Sequence, residues 1–443
     1  MAANVRIRRL ALRRLATQFD RLPDVIARGA MITSTSSRPF AAYLAIVAGW
    51  FFSFGLQTTL YPGVVYFTLG ESPERLGLAQ MALTLPMLLL LPAAGVLAER
   101  RGRRKLLIIF YGVAAAAAVT LSALLATGWL SYPLLIVYAL GVGACGAFVL
   151  PARDSAINPV VELANRTGHP ITLQKAVILT TIAQFGAQIA GMAAGYATRW
   201  TGPAIMFAVQ SGGFALGMAA AFQLPRLRTR RRDKPHVLRD LVDGMKAVFT
   251  SPVLGPMTWL MIAVGFFVVG GGFFVIIPVL VRDIYGGGYS ELSSLLVVFW
   301  VGALLANLVL ARFGSIERPG LVIIVAQMVT VASLGLMALH LPFWGLYVLD
   351  LGWGLGAGVA ISLSRAVVQE NAPSDMVARV MSVYQLGLFG GMPVGAALMG
   401  FIVAALGPHM SALIPMAGLG LFLVWLAAAT PLLKVGRAAN RLI

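Results

Sequence analysis

An all-α membrane protein, with twelve transmembrane helices in two pseudo-symmetric six-helix bundles, is what three features of this sequence predict. Apolar runs long enough to cross a bilayer recur along the chain, the cations fall in alternate loops, and the two halves echo each other. The 443 residues are 59% hydrophobic and only 11% charged, against about 25% charged in ordinary soluble proteins. A helix rising 1.5 Å per residue needs about 20 mostly apolar residues to cross roughly 30 Å of hydrocarbon.

Residues 1–38 read as a cytoplasmic basic amphipathic segment. They hold eight arginines and no continuous apolar core, so no cleavable signal peptide is expected. Within 5–28, Leu12, Leu15, Phe19, Leu22 and Ile26 share one helical face while Arg9, Arg13 and Arg14 lie elsewhere. That pattern suits an anchor on an anionic leaflet, and Asp20 and Asp24 argue against a transit peptide.

The N-terminal bundle, 39–224, contains runs near 40–67, 77–98, 105–127, 132–152, 173–198 and 203–223. A cytoplasmic linker, 225–253, opens with PRLRTRRRDKP from Pro225 to Pro235. It continues with the stripe Leu238, Leu241, Val242, Met245, Val248 and Phe249, the spacing of an interfacial helix. The C-terminal bundle, 254–434, contains runs near 255–281, 289–311, 320–340, 344–366, 377–405 and 410–433, and 435–443 form a cytoplasmic tail.

Of the 34 lysines and arginines, Arg75, Arg199 and Arg282 fall in one set of alternate loops and the other 31 in the opposite set. The positive-inside rule then places both termini in the cytoplasm. The net charge of +18 is thereby assigned to orientation in the membrane rather than to nucleic-acid binding. A single cysteine, Cys145, forbids an internal disulfide, and His169, His236, His340 and His409 are too scattered in sequence to suggest a metal cluster. There is no Walker A loop, zinc-type spacing or Gly-x-Ser-x-Gly elbow. Neither an enzyme nor an ATP-driven pump is expected, and no cofactor is called for.

The echo between halves is clearest at the end of the fourth and tenth runs. GVGACGAFVLPAR, Gly141 to Arg153, and GWGLGAGVAISLSR, Gly352 to Arg365, are both glycine-rich and both end in arginine, with Asn158-Pro159 or Ala372-Pro373 soon after. Small residues allow close helix packing, and a two-fold repeat of six helices is the build of an alternating-access transporter.

Between the second and third runs stands GVLAERRGRRK, Gly95 to Lys105. It resembles the major facilitator superfamily signature G-x-L-A-D-R-x-G-R-R: Gly95, Leu97, Ala98, Arg100, Gly102, Arg103 and Arg104 match, and Glu99 replaces the usual aspartate. SPERLGLAQMALTLP (Ser72 to Pro86), IPVLVRDIYGGG (Ile277 to Gly288) and VQENAPSDMVARVMS (Val368 to Ser382) are similar to the branch of enterobactin exporters and macrolide efflux pumps. Two departures stand out. Val377-Ala378-Arg379 replaces Arg-Gly-Arg, and Gly191-Met192 replaces the Gly-Pro associated with export.

The resemblance implies a monomeric inner-membrane secondary transporter, with proton-coupled export of a siderophore or drug-like molecule. Alternatives are a lysophospholipid or metal-ion transporter, or a transporter-like assembly factor that moves nothing. It also implies that the loop around Glu99 braces the start of helix eleven when the cytoplasmic side is closed.

Other site candidates follow from residue chemistry. Arg153 with Asp154 and Arg365 with Glu370 end equivalent helices and suit ion pairs that break as the halves rock. Asp350 is the only acid well inside a run, and an intramembrane carboxyl is costly unless protonated, paired or hydrated, which makes it a candidate for proton or cation coupling. Gln57, Thr84, Gln184, Gln188, Asn307 and Gln385 are candidates for a polar cavity, with helix-to-helix hydrogen bonding as the alternative for each. Trp50, Trp259, Trp300 and Trp353 offer aromatic faces for a substrate or for packing. Gly270-Gly271-Gly272 marks a bend or a close contact.

Overall fold

The computed structural model describes residues 38–167, 170–224, 237–313, 316–373 and 376–434, without the side chains of 95–96, 98–101, 237–240, 313, 378 and 434. The amphipathic 5–28 segment, the basic stretch 225–236 and the tail lie outside the described residues. Twelve helices among those described are long and apolar enough to cross a membrane. The first six are α1 (Arg38–Thr68), α2 (Pro73–Arg101), α3 (Arg103–Ala126), α4 (Tyr132–Asp154), α6 (Leu173–Gly195) and α7 (Thr198–Gln223). The second six are α9 (Leu254–Ile284), α10 (Tyr289–Phe313), α11 (Pro319–Leu336), α12 (Phe343–Asn371), α13 (Val377–Leu406) and α14 (Pro408–Ala429). Two shorter helices, α5 (Ile157–Arg166) and α8 (Val237–Thr250), lie at the end that carries most of the cations.

The two-fold repeat is built from glycines placed where one helix meets the backbone of another. In the first half Gly55 of α1 lies on the Gln188 carbonyl of α6, and Gly191 of α6 lies on the Phe52 carbonyl. The second half repeats this between α9 and α13, with Gly265 on the Leu388 carbonyl and Gly395 on the Phe266 carbonyl. Likewise Gly143 of α4 meets the Leu83 carbonyl of α2, and Gly354 of α12 meets the Phe299 carbonyl of α10. No Cβ fits at these points, so any larger residue would force the helices apart.

Several sequence expectations change in detail. The run near 203–223 is assigned from Thr198, but Gly202 at φ 78° breaks it, so the regular helix begins at Pro203, a residue pre-set for a first turn. The run near 320–340 stops at Leu336. The short amphipathic α5 was not foreseen, because its apolar positions are too few to register as a membrane run. Gly270, Gly271 and Gly272 form no break: they sit in a wide π-helical stretch and pack against Met392, Met399 and Trp353 respectively.

The linker stripe divides. In α8, Val248 is buried and Leu241 half-buried, while Val242, Met245 and Phe249 are exposed. Gly244 abuts the Arg379 carbonyl at the start of α13 and Asp243 lies 4.0 Å from the Arg379 guanidinium. This helix therefore rests on the second half and leaves an apolar row outward, as expected of an element at a membrane interface.

Candidate functional site

The seam between the halves is closed at the cation-poor end. Tyr66 of α1 donates to Asp283 Oδ2 of α9 at 2.6 Å, and Arg282 donates to the Tyr66 carbonyl at 2.6 Å while its guanidinium lies 4.4 Å from the Tyr66 ring centre. Thr68 shares a 2.6 Å hydrogen bond with Tyr289 of α10, whose ring meets Phe67 edge-on at 5.3 Å. Ser293 of α10 donates to the Met192 carbonyl of α6. Gly77 of α2 and Gly400 of α13 let those helices touch, a Cβ on Gly77 falling 2.5 Å from the Ala396 carbonyl oxygen. Nothing in the sequence pointed to Tyr66 and Asp283 as partners, because 217 positions separate them.

Farther along, apolar side chains of α6 and α10 become exposed. Phe185 and Trp300 still meet across the seam, ring centres 5.9 Å apart. Beyond them Val177, Ile178 and Ile182 of α6 and Leu305, Leu308 and Val309 of α10 are exposed. α2 and α13 stay together longer, with Leu88 3.5 Å from where a Cβ on Gly390 would lie.

The proposed cavity residues separate into two groups. Gln57 is buried in a network inside the first half: Gln210 Nε2 donates to Gln57 Oε1 at 2.8 Å and to the Ser53 carbonyl at 3.2 Å, and Tyr138 donates to Gln210 Oε1 at 3.1 Å. Asn307 accepts from Ser362 and donates to the Ala303 carbonyl, tying α10 to α12, while Thr84 turns back to the Gln80 carbonyl of its own helix. Gln57 and Asn307 hold helices together, and the bonds of Thr84 stay within α2. Gln188, one turn from Phe185 on the seam helix α6, is buried and makes no hydrogen bond among the described residues, while Gln184 beside Phe185 and Gln385 on α13 are half-buried.

Of the tryptophans, Trp50 packs against Tyr111 and Phe214, and Trp353 against Phe273 and Phe299. Trp259 is on the surface beside Phe249. Trp300 is the one at the seam, and its buried indole Nε1 has no partner.

Gly102, at φ 82°, separates α2 from α3, a conformation that side chains resist. Arg103 Nε donates to Ser155 Oγ at 3.0 Å, and Arg104 donates to the Phe222 carbonyl at the end of α7 at 2.7 Å. A cation at a helix C-terminus meets unsatisfied carbonyls and the negative end of the dipole. Both bonds lie within the first half. Leu97 is half-buried, and the side chains of Ala98, Glu99 and Arg100, with the surroundings of Gly95, lie outside the description.

Arg153 is buried, pairs with its neighbour Asp154 at 2.6 Å and lies 4.8 Å from the Phe51 ring centre. Its counterpart Arg365, and Glu370, are exposed. The equivalent arginines are thus in different environments.

Asp350 is fully buried, seven residues into α12, and neither carboxyl oxygen has a hydrogen-bond partner. The small cavity against it is lined by Ile277, Leu280, Leu295, Met337 and Leu346. All of these belong to the second half, so the carboxyl sits within that bundle rather than on the seam.

Residues 62–441 match the family model described as transmembrane secretion effector, a major facilitator family. The chain is 24% identical over 310 residues to the enterobactin exporter EntS of Shigella flexneri, covering 69% of this chain and 70% of that one. EntS of Escherichia coli SMS-3-5 is also 24% identical, with 69% and 71% covered. In fold, the chain resembles the nucleoside transporter NupG, with a TM-score of 0.71, 13% identity, and 88% and 99% of the two chains covered. A bacterial homologue of the human lysosomal transporter Spinster, solved inward-facing and unoccupied, gives a TM-score of 0.67 at 13% identity, with 91% and 100% covered.

Proposed function

Since the chain belongs to the major facilitator superfamily of membrane transporters, we propose that it exports a small organic molecule from the cytoplasm by alternating access, in exchange for protons. The observation that carries this is the latch between the halves at the cation-poor end, with apolar side chains of α6 and α10 exposed toward the other. In the bacterial inner membrane, with the cation-rich loops and termini in the cytoplasm, that arrangement is the inward-facing half of a rocking cycle.

Trp300 and Phe185, with Gln184 and Gln188 beside them, offer aromatic faces and amides at the seam between α6 and α10. Aromatic stacking plus a few fixed polar groups suits a flat organic cargo, and the printed function of the enterobactin-exporting relatives supports the siderophore or drug-like class. In the opposite state, the loop Glu99 to Arg104 and the groups Arg153, Asp154, Arg365 and Glu370 would brace the cytoplasmic side. The units of motion are the bundles 39–224 and 254–434, joined through 225–253.

The test is uptake into inverted vesicles containing the protein. Siderophores and aromatic drugs should accumulate when the lumen is acidic and cease to do so when the gradient is collapsed. Accumulation indifferent to the gradient would remove proton coupling; no movement of any cargo, with the protein correctly inserted, would favour a non-transporting role.

A further inference from the structure

We propose that α8 is a lipid-responsive lever: its outward apolar row beds into a leaflet of anionic lipid, and its inner face passes that restraint to the start of α13. Val242, Met245 and Phe249 form the row, at the i, i+3 and i+7 spacing that shares one side of a helix, and all three are exposed. Phe249 meets Trp259 of α9 with ring centres 5.5 Å apart, and Trp259 is exposed as well. The row therefore runs on into the outer surface of a membrane-spanning helix. Lipid tails cover that surface, and the continuity commits α8 to the same neighbour.

Charge selects the kind of lipid. Lys246 is exposed one turn beyond Val242, at the edge of the row. The residues leading into α8, Pro225 to His236, carry six cations against one acid in the sequence. A helix with an apolar row and cations along its edge lies at headgroup level, and each cation close to an anionic surface adds to its binding.

The opposite face of α8 is packed. A Cβ on Gly244 would lie 3.2 Å from both the Arg379 carbonyl oxygen and the Val383 side chain, so α8 meets the first turns of α13 at its backbone. Asp243 stands 4.0 Å from the Arg379 guanidinium at the same place. Toward α9 the turn is short and closed: Leu254 N donates to Ser251 Oγ at 3.2 Å, and Gly255 lies on the Val248 carbonyl. Farther along, Gly387 and Gly391 of α13 sit on the Thr258 and Ile262 carbonyls of α9. These three helices form one packed unit, and α13 is also the helix that meets α2 across the seam at Gly390 and Gly400. Holding α8 to a membrane surface thereby restrains the start of a helix that the two halves share as their contact.

Cargo and coupling play no part in this, so the test needs no transport. Amide hydrogen exchange would be followed on the full-length protein in nanodiscs of phosphatidylcholine, with and without phosphatidylglycerol. With the anionic lipid, α8 and the first two turns of α13 should both exchange about fivefold more slowly or better, the effect of at least one cation at an anionic surface. The end of α7, in the first half, should not change. Lys246→Gln should narrow the gap between the two lipids. Met245→Asp with Phe249→Asp, both at exposed positions, should speed exchange in α8 and α13 together in either lipid, whereas Met245→Leu with Phe249→Leu should keep the parent's rates. Equal exchange in the two lipids, or a gap that Lys246→Gln leaves whole, would overturn the anionic partner. A slowed α8 beside an unchanged α13 would overturn the lever, as would slowing that extends equally to α7. Unaltered exchange in the aspartate pair would mean that the row faces water.

Discussion

The interiors of the two halves use the same helix contacts but enclose different polar groups. In the first half Gln210, Gln57, Ser53 and Tyr138 close on one another, donor to acceptor. In the second, Asp350, Trp353 Nε1, Thr330 Oγ1 and Gln327 Nε2 have no partners, although all four residues are buried. A satisfied network stiffens a bundle, and an unsatisfied group costs free energy that a purely structural core has no reason to keep. Thr59 Oγ1, Gln80 Oε1 and Thr198 Oγ1 of the first half are unpartnered too, so what sets the second half apart among the described residues is a whole carboxyl, both oxygens without a partner, enclosed in its core.

The largest expected effect is at Asp350. Asp350→Asn should abolish gradient-driven accumulation in vesicles while leaving insertion intact and thermal stability unchanged, since neither carboxyl oxygen has a hydrogen bond to lose. A coupled rate equal to the parent's would assign the carboxyl a structural role and erase the contrast. Gln210→Leu is the counterpart in the first half. It strips partners from Gln57, Tyr138 and the Ser53 carbonyl, and should cost about 2 to 4 kcal/mol in denaturation assays, since each orphaned group costs about 1 to 3 kcal/mol.

Much of this contrast was out of reach of the sequence, for a physical reason. Apolar length and loop charge specify helices and their ends, so the runs near 40–67, 289–311 and 377–405 agree with Arg38–Thr68, Tyr289–Phe313 and Val377–Leu406 within a few residues. Side-chain direction around a helix is another matter. Gln57 and Gln188 look alike as polar residues in apolar runs and both are buried, yet Gln57 is held by Gln210 inside the first bundle while Gln188 lies on the seam helix. Asp350 could be singled out from its run alone. Its apolar enclosure depends on α9, α10 and the end of α11, which no local pattern encodes. The Tyr66 to Asp283 latch was invisible for the same reason.

That latch joins the contrasting halves and gives the next prediction. Tyr66→Phe removes the bond to Asp283 but keeps the ring beneath Arg282. Loss of one hydrogen bond to a charged group, about 1.5 to 3 kcal/mol, should shift the population toward the opposite state by about tenfold or more. Spin labels on the outer ends of α1 and α9 would report it as a longer distance. An unshifted distribution would mean that the glycine contact of α2 with α13 suffices to hold this end closed.

The smallest effect tests whether the unpartnered groups of the second half are dry. Thr330→Val exchanges a buried hydroxyl without a partner for a methyl of similar shape. In a dry seam this should stabilise the protein by up to about 1 kcal/mol, because a desolvated polar group is removed and no bond is broken. Tyr138→Phe, its mirror in the first half, should instead destabilise by about 1 kcal/mol, since it takes a donor from Gln210. Opposite signs would mean that the α11–α12 seam is dry at Thr330. A loss of stability in both would mean that water fills the α11–α12 seam as far as Thr330, and the route to the carboxyl would then extend toward the cytoplasmic side.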